Sequence, residues 1–268
     1  MKIELLNEPA IGRNKFCKPK LFIWPERVLY FGSLEYVPLH RYGATILLVG
    51  LSGPFLIRLK GTQWLAYRAC IVPAGLSHEI HVPEGPLAKL FIELGSHDHF
   101  CFSEKFSYNQ HIAKVDHHPL IQNLSAIYDH NIDLEEAAKK VDEVIGYDKR
   151  NGFAFDARIK TSLQTIQSDL TQNNSEVFLA NQVDLSPSRF RHLFKEQLGI
   201  SHRQFRTWKR LIGAVREIHK TDRLTSAALE VGFSDQSHFT NHYKKTFGVK
   251  PSEVFRNLND FYVEKTPA

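Results

Sequence analysis

The feature that most constrains this chain is a duplicated segment. Residues 224–255 read LTSAALEVGFSDQSHFTNHYKKTFGVKPSEVF, and residues 177–201 read VFLANQVDLSPSRFRHLFKEQLGIS. Phe190, Phe194, Lys195 and Gly199 precede Phe239, Tyr243, Lys244 and Gly248 by one constant interval. Ahead of the turn the offset drops by one, pairing Ala180 with Ala228 and Val183 with Val231, so the second copy has one extra turn residue. Each copy reads as a short helix of small residues, a turn and a longer helix. Phe239, Tyr243 and Phe247 recur every four residues and form one apolar stripe; Phe190, Leu193 and Phe194 do the same in the first copy. Ser186 before Pro187 is a helix start, with a hydroxyl as N-cap and proline at the first helical position. Gly199 and Gly248 stand where a left-handed residue ends each long helix.

The faces opposite the stripes carry Ser188, Arg191, His192 and Lys195 in the first copy, and Gln236, Ser237, Thr240, Asn241 and Lys244 in the second. Gln and Asn can bond adenine bidentately, Arg can bond guanine, hydroxyls suit several bases, and Lys takes phosphate. A helix-turn-helix presents its second helix to the major groove of double-stranded DNA in this way. A lone segment of this kind could equally be an ordinary helix with a solvated face; the repeat favours the groove reading. Arg191 is then the candidate for guanine, Asn241 for adenine, and Lys195 and Lys244 for phosphate, while neutral His192 can donate or accept. The stretch Arg203–His219 reads as a long helix between the copies, roughly 25 Å at 1.5 Å per residue. That length helps set two reading helices in successive grooves about 34 Å apart. On it, Arg206 and Lys209 either touch phosphate or are solvated.

The pair of units resembles the DNA-binding domain of the AraC/XylS family of bacterial transcription regulators. The resemblance rests on Leu179-Ala180, Leu185-Ser186, Phe194-Lys195, Gly199, Arg210-Leu211, Ala214, Gly232-Phe233, Asp235, Phe239, Lys244, Gly248 and Pro251, and covers residues 158–256. Asp184 stands where the family usually has a turn glycine, Ala227 replaces a larger aliphatic residue, and Val254-Phe255-Arg256 is shifted by one from the usual Pro-x-x-Tyr-Arg. Asp tolerates a left-handed backbone better than most residues. The resemblance implies a structural role for Arg210, activation through contact with RNA polymerase, and an N-terminal effector domain.

With 268 residues, the chain has room for two domains with separate cores. Residues 151–268 hold 17 Lys+Arg against 12 Asp+Glu, while residues 1–150 balance at 17 of each. All the excess positive charge therefore lies in the half with the repeated units, as a polyanion partner requires, although an excess of +5 is common among soluble proteins. Cys17, Cys70 and Cys101 are widely spaced and contain no Cys-x-x-Cys pair, which argues for a reducing compartment and against a disulfide framework or structural zinc. No stretch reads as a signal peptide or an apolar run of about 18 residues, so the expected location is the cytoplasm with no membrane partner.

Residues 1–95 read as β structure in short runs: Lys20–Trp24, Val28–Phe31, Ala44–Leu51, Phe55–Leu59, Gln63–Val72, Ser77–Val82 and Ala88–Leu94. Such runs suit a sandwich or small barrel. Pro73-Ala74-Gly75-Leu76-Ser77-His78 is similar to the Pro-x-Gly-x-x-His phrase of cupin barrels, which often form the effector domain of AraC-type regulators. A cupin metal centre needs clustered imidazoles and a carboxylate. His78 and His81 are available, but Leu39-His40-Arg41-Tyr42 lacks the usual His-x-His and following Glu, so neither metal nor other cofactor is expected. A Ser/His/Asp or Cys/His arrangement, a Walker loop and GxGxxG are likewise unrecognisable, and the chain reads as a non-enzyme. Candidate effector contacts are Trp24, His40, Phe55, Arg58, Trp64, Tyr67 and His78, subject to a strand register whose slip by one residue would reverse each assignment.

Residues 96–150 turn helical. His118–Tyr128 and Asp133–Ile145 have helical apolar spacing, and Asp133 with Glu136 matches a capping box. The resemblance places a homodimer interface here; packing on their own barrel is the alternative. Gly146–Phe155 reads as a linker. The whole is an α+β multidomain chain: an N-terminal cupin-like β-barrel (1–95), a helical dimerisation or linker region (96–150), and a C-terminal all-α double helix-turn-helix domain (156–258, units at about 176–199 and 225–248). The expected function is that of an effector-responsive, sequence-specific DNA-binding transcription regulator, an activator by resemblance. The alternatives are a cupin metalloenzyme with an appended DNA module and a DNA-binding protein that needs no effector.

Overall fold

The computed structural model describes residues 18–32, 34–115, 118–130, 132–148, 156–221, 223–255 and 260–263. Cys17, most of the linker read over Gly146–Phe155, and Arg256 lie outside the described residues.

The N-terminal half contains β1 (Lys20–Ile23), β2 (Arg27–Gly32), β3 (Tyr36–His40), β4 (Thr45–Gly50), β5 (Phe55–Leu59), β6 (Leu65–Tyr67), β7 (Ala69–Val72), β8 (His78–His81) and β9 (Leu87–Ile92). Then come α1 (His97–Phe106), β10 (Ala113–Lys114), α2 (His118–Asp129) and α3 (Leu134–Ile145). The helical half holds α4 (Ala157–Ser168), α5 (Glu176–Gln182), α6 (Pro187–Leu198), α7 (His202–Thr221), α8 (Leu224–Glu230), α9 (Gln236–Phe247) and α10 (Pro251–Phe255), and ends in β11 (Asp260–Val263).

The strands form a seven-stranded sheet, β10-β7-β4-β9-β2-β1-β11, and a four-stranded sheet, β3-β8-β5-β6. The expected barrel is thus two separate sheets, not one closed cylinder. The large sheet is covered on both faces, which is why β4 (TILLVG) and β9 (LAKLFI) are buried at every position and read as continuous runs rather than alternations. Alternation persists within them. Leu87 and Phe91 enter one core, whereas Ala88, Leu90 and Ile92 enter another with Phe102, Leu124, Val141 and Val144 of α1, α2 and α3. Asp133 caps α3 by accepting from Glu136 N at 2.8 Å, and α2 and α3 lay their apolar stripes on their own sheet.

The run Gln63–Val72 is divided between the sheets: β6 pairs with β5 in the small one and β7 with β4 in the large one. At the break, Arg68 donates to the carbonyls of Leu51 (2.6 Å) and Ser52 (3.0 Å). β3 escaped the sequence reading because Pro38 interrupts it. Proline is tolerated there because β3 is an edge strand whose register shifts between Val37 and His40. β11 also went unread. It returns from the helical half and pairs in parallel with β1, and Tyr262 stacks on Phe22 with ring centroids 4.8 Å apart.

In the helical half, α4, α5 and α6 share a core of Ile159, Leu163, Leu179, Phe190, Phe194 and Phe205. The second unit has no such separate core. Trp208, Leu211, Phe239 and Tyr243 run on into the space between the two sheets, against Tyr42, Phe91 and Val37. Helices α7 and α9 therefore close one mouth of the sandwich.

Candidate nucleic-acid interface and effector cavity

In the first unit, Val183–Ser186 turn the chain between α5 and α6. Asp184 has φ 53°, the left-handed region that its sequence position called for. The Ser186 side chain accepts from Arg189 N at 3.3 Å and Pro187 opens α6, while Gly199 ends it at φ 75°. Phe190, Leu193, Phe194 and Leu198 are buried, leaving Ser188, Arg191, His192 and Lys195 exposed. Arg191 is already occupied: its Nη2 lies 2.6 Å from Glu176 Oε1 and its Nε 3.1 Å from Oε2. The guanidinium holds the Glu176 carboxyl below the usual carboxylate range. An exposed pair of this kind contributes at most about 1 kcal/mol, so a guanine edge can compete for the arginine.

In the second unit, Gly232 (φ 84°) makes the turn, and Arg210 fastens it. The guanidinium donates to the carbonyls of Leu170 (2.7 Å), Gly232 (3.0 Å), Thr171 (3.1 Å) and Gln172 (3.1 Å). Asp235 caps α9 by accepting from His238 N at 2.8 Å, and Gly248 ends it at φ 77°. Phe239 and Tyr243 are buried; Gln236, Ser237, Asn241 and Lys244 are exposed and Thr240 is half-buried. Gln236 Oε1 accepts from Thr225 Oγ1 of α8 at 2.8 Å.

Two of the residues proposed for phosphate have other partners. Arg206 donates to Asn173 Oδ1 at 2.6 Å and to the carbonyl of Asn174 at 3.3 Å, which braces the connection between α4 and α5. Lys209 is turned toward the sheets, with Nζ 2.7 and 2.8 Å from the two oxygens of Glu93, which also accepts from Gln167 Nε2 at 3.1 Å. Both point away from the exposed faces of α6 and α9 because α7 is buried on several sides; spacing alone does not reveal this.

The candidate effector residues are scattered. Trp24 packs with Phe22 in the core under the helices, and Phe55 is wholly buried between the sheets. Arg58 lies over Trp64 at 4.5 Å and donates to Glu79 at 2.9 and 3.0 Å, forming a cluster with Tyr36 on the outer side of the small sheet. Tyr67 is half-buried at the edge of the inner core. His40 and His78 are buried register partners across β3 and β8. Each has Nδ1 2.8 Å from a carbonyl, of Pro38 and Leu76 respectively. Burial pushes both imidazoles down, His78 to about 4, so both are neutral near pH 7. Among the described residues no group of three or more His, Cys, Asp or Glu is arranged to hold a metal ion.

An apolar cavity lies elsewhere, where the sandwich mouth meets the helical half. Leu21, Val28, Tyr30, Tyr42 and Phe91 line it from the sheets, and Ile212, Val215, Tyr243, Phe247 and Phe255 from the helices. The space enclosed among these side chains is only about 50 Å³, smaller than a usual small-molecule site, so a ligand would have to part the seam to enter. None of the seven candidates lines it. Into it projects Lys89 of β9, 7% exposed and with no hydrogen-bond or ion-pair partner among the described residues. Burial alone pushes its ammonium down to about 8, so at neutral pH it is a charge in apolar surroundings with no counter-ion. A lone lysine within the apolar run LAKLFI was the available signal.

Comparison with known proteins follows the same division. A helix-turn-helix domain family matches residues 179–257. The arabinose operon regulatory protein of Escherichia coli is 39% identical over 102 residues, which cover 37% of this chain and 35% of that protein, so the match spans about a third of the relative's length. The structure of ToxT from Vibrio cholerae covers 87% of this chain and 98% of its own at TM-score 0.60 and 16% identity, a likeness of fold. A second ToxT structure, described as bound to an unsaturated fatty acid, covers 88% and 97% at TM-score 0.58 and 13% identity. No helix among the described residues is long and apolar enough to cross a membrane.

Proposed function

We infer that this chain, whose residues 179–257 belong to the AraC-type helix-turn-helix domains, is a sequence-specific DNA-binding transcription regulator controlled by a small amphipathic acid. The observation that carries the DNA reading is the duplication itself. Two units bury matching aromatic stripes and expose matching polar faces, with Ser188, Arg191 and His192 on one and Gln236, Ser237, Thr240 and Asn241 on the other. Those residues read bases, Arg191 guanine and Asn241 adenine, while Lys195 and Lys244 hold phosphate. Selection of bound duplexes from a random pool tests this. Wild type should enrich a bipartite motif with elements about one helical turn apart, and Arg191→Ala and Asn241→Ala should each blur one element. Enrichment of no sequence, with binding lost uniformly as salt rises, would refute the base-reading assignments.

Effector control is supported by Lys89 in its apolar cavity, and by the fatty-acid complex of the similarly folded ToxT. A carboxylate would supply the missing partner of Lys89, and an apolar body suits the lining once the seam parts to admit it. Oleate should raise the melting temperature of wild type but not of Lys89→Met, and oleyl alcohol should do neither strongly. A homodimer and contact with RNA polymerase are supported by the family resemblance; sedimentation of the free protein and of its DNA complex checks the first.

A further inference from the structure

A second crevice crosses the seam between the halves, and its chemistry is the opposite of the apolar cavity's. Arg41, from the turn between β3 and β4, faces Arg203 of α7 and His242 and Lys245 of α9 across it. No Asp or Glu lines the crevice. Arg41, Arg203 and Lys245 have no carboxylate within ion-pair distance among the described residues. Arg203 feels Glu176, but that carboxylate is already bonded by Arg191.

The walls are held in place. A Cβ on Gly43 would lie 2.5 Å from Trp208 Cβ, and one on Gly248 would lie 2.6 Å from Val37 Cγ1, so the β3–β4 turn abuts α7 and the end of α9 abuts β3 across the seam. Position matters as well. Arg203 stands just past Gly199, which ends the first reading helix, and Lys245 adjoins Lys244 on the second. Two helices in successive major grooves leave the intervening phosphates to pass between them, and Arg203 and Lys245 each lie within a few residues of one of those helices.

We propose that this crevice is a phosphate-binding site in which Arg41 of the N-terminal half joins Arg203 and Lys245 of the helical half on the DNA backbone. The inference rests on the DNA-binding reading and extends it, because it makes the effector half part of the DNA interface. A phosphate there could also belong to a free phosphorylated solute, and the test separates the two sources.

The experiment uses the full chain, with Arg41→Gln, Lys245→Gln and, as a control for net charge, Lys60→Gln on a distant exposed turn. Operator affinity is measured against salt concentration. The crevice variants should weaken binding roughly three- to tenfold near 0.15 M salt and lower the salt slope by about one, with the selected motif unchanged; Lys60→Gln should do neither. In parallel, melting is followed with millimolar inorganic pyrophosphate. A stabilisation of wild type that Arg41→Gln abolishes, with an unaltered salt slope, assigns the site to a free phosphorylated solute. An unaltered slope together with no pyrophosphate effect overturns the proposal. Should wild type bind no DNA at all, the DNA reading fails by itself and the pyrophosphate arm still decides the crevice.

Discussion

The seam between the two halves buries charge at two places on one strand's course, and handles it in opposite ways. Near the end of β9, Glu93 is 7% exposed and meets Lys209 of α7 at 2.7 Å, with Gln167 of α4 on the same carboxylate. Four residues earlier, Lys89 is equally buried; it projects among apolar and tyrosine side chains, with the neutral imidazoles of His40 and His78 near enough to feel its charge and no ion-pair partner among the described residues. Paired, a buried charge fixes geometry: Glu93 ties α4 and α7 to the sheet. Unpaired, it makes the apo state costly and leaves a binding free energy for whatever anion arrives. One end of the seam is therefore a fastening and the other, on the function proposed above, a receptor, where an acid bound at Lys89 would lie against Tyr243 and Phe247 of α9.

Breaking the fastening should have the largest effect. Lys209→Met removes the cation bonded to buried Glu93, leaving it the nearby charge of Arg216, and should destabilise the protein by about 3 kcal/mol in urea unfolding, more than Gln167→Leu does. Lys89→Met should act in the reverse sense, stabilising the apo protein by about 2–3 kcal/mol at pH 7 while abolishing the oleate response. That difference has a pH signature. Since the folded pKa of Lys89 is about 8 against 10.5 for an unburied lysine, the unfolded chain binds more protons between those values. Wild-type stability should accordingly rise relative to Lys89→Met from pH 8 to 10.5, and the two proteins should converge above it. A smaller effect tests the packing that both ends share. Gly43→Ala forces the β3–β4 turn off Trp208 and should cost about 1–3 kcal/mol, with the fastening intact and the oleate response reduced.

Much of the helical half was legible because its information is local. Four-residue aromatic spacing, Ser186-Pro187 and the two closing glycines each specify a turn of backbone without reference to distant residues, and the caps and left-handed positions stand where the sequence puts them. Asp184 at φ 53° shows that a departure from glycine can be read from side-chain chemistry. The strands were legible as apolar runs but not as partners: nothing in Gln63–Val72 says that Arg68 divides two sheets, and nothing in Asp260–Val263 says that it returns to β1. The effector residues were least legible. Aromatic and basic residues on strands were natural candidates, yet Arg58 and Trp64 face outward and Trp24 faces the helices, because a single-residue register selects the face.

What the sequence determined by itself, then, is the duplicated reading unit, its exposed polar faces and the class of the N-terminal half, since periodicity and capping act over a few residues. Tertiary structure alone decided that Lys209 meets Glu93, that Lys89 is buried without an ion-pair partner among the described residues, and that Arg41 lines one crevice with Arg203 and Lys245. Each of those depends on two segments more than a hundred residues apart being brought together at the seam, and where that seam is buried, as at Lys89 and Glu93, the energy of a charge is set by its neighbours and not by its own side chain.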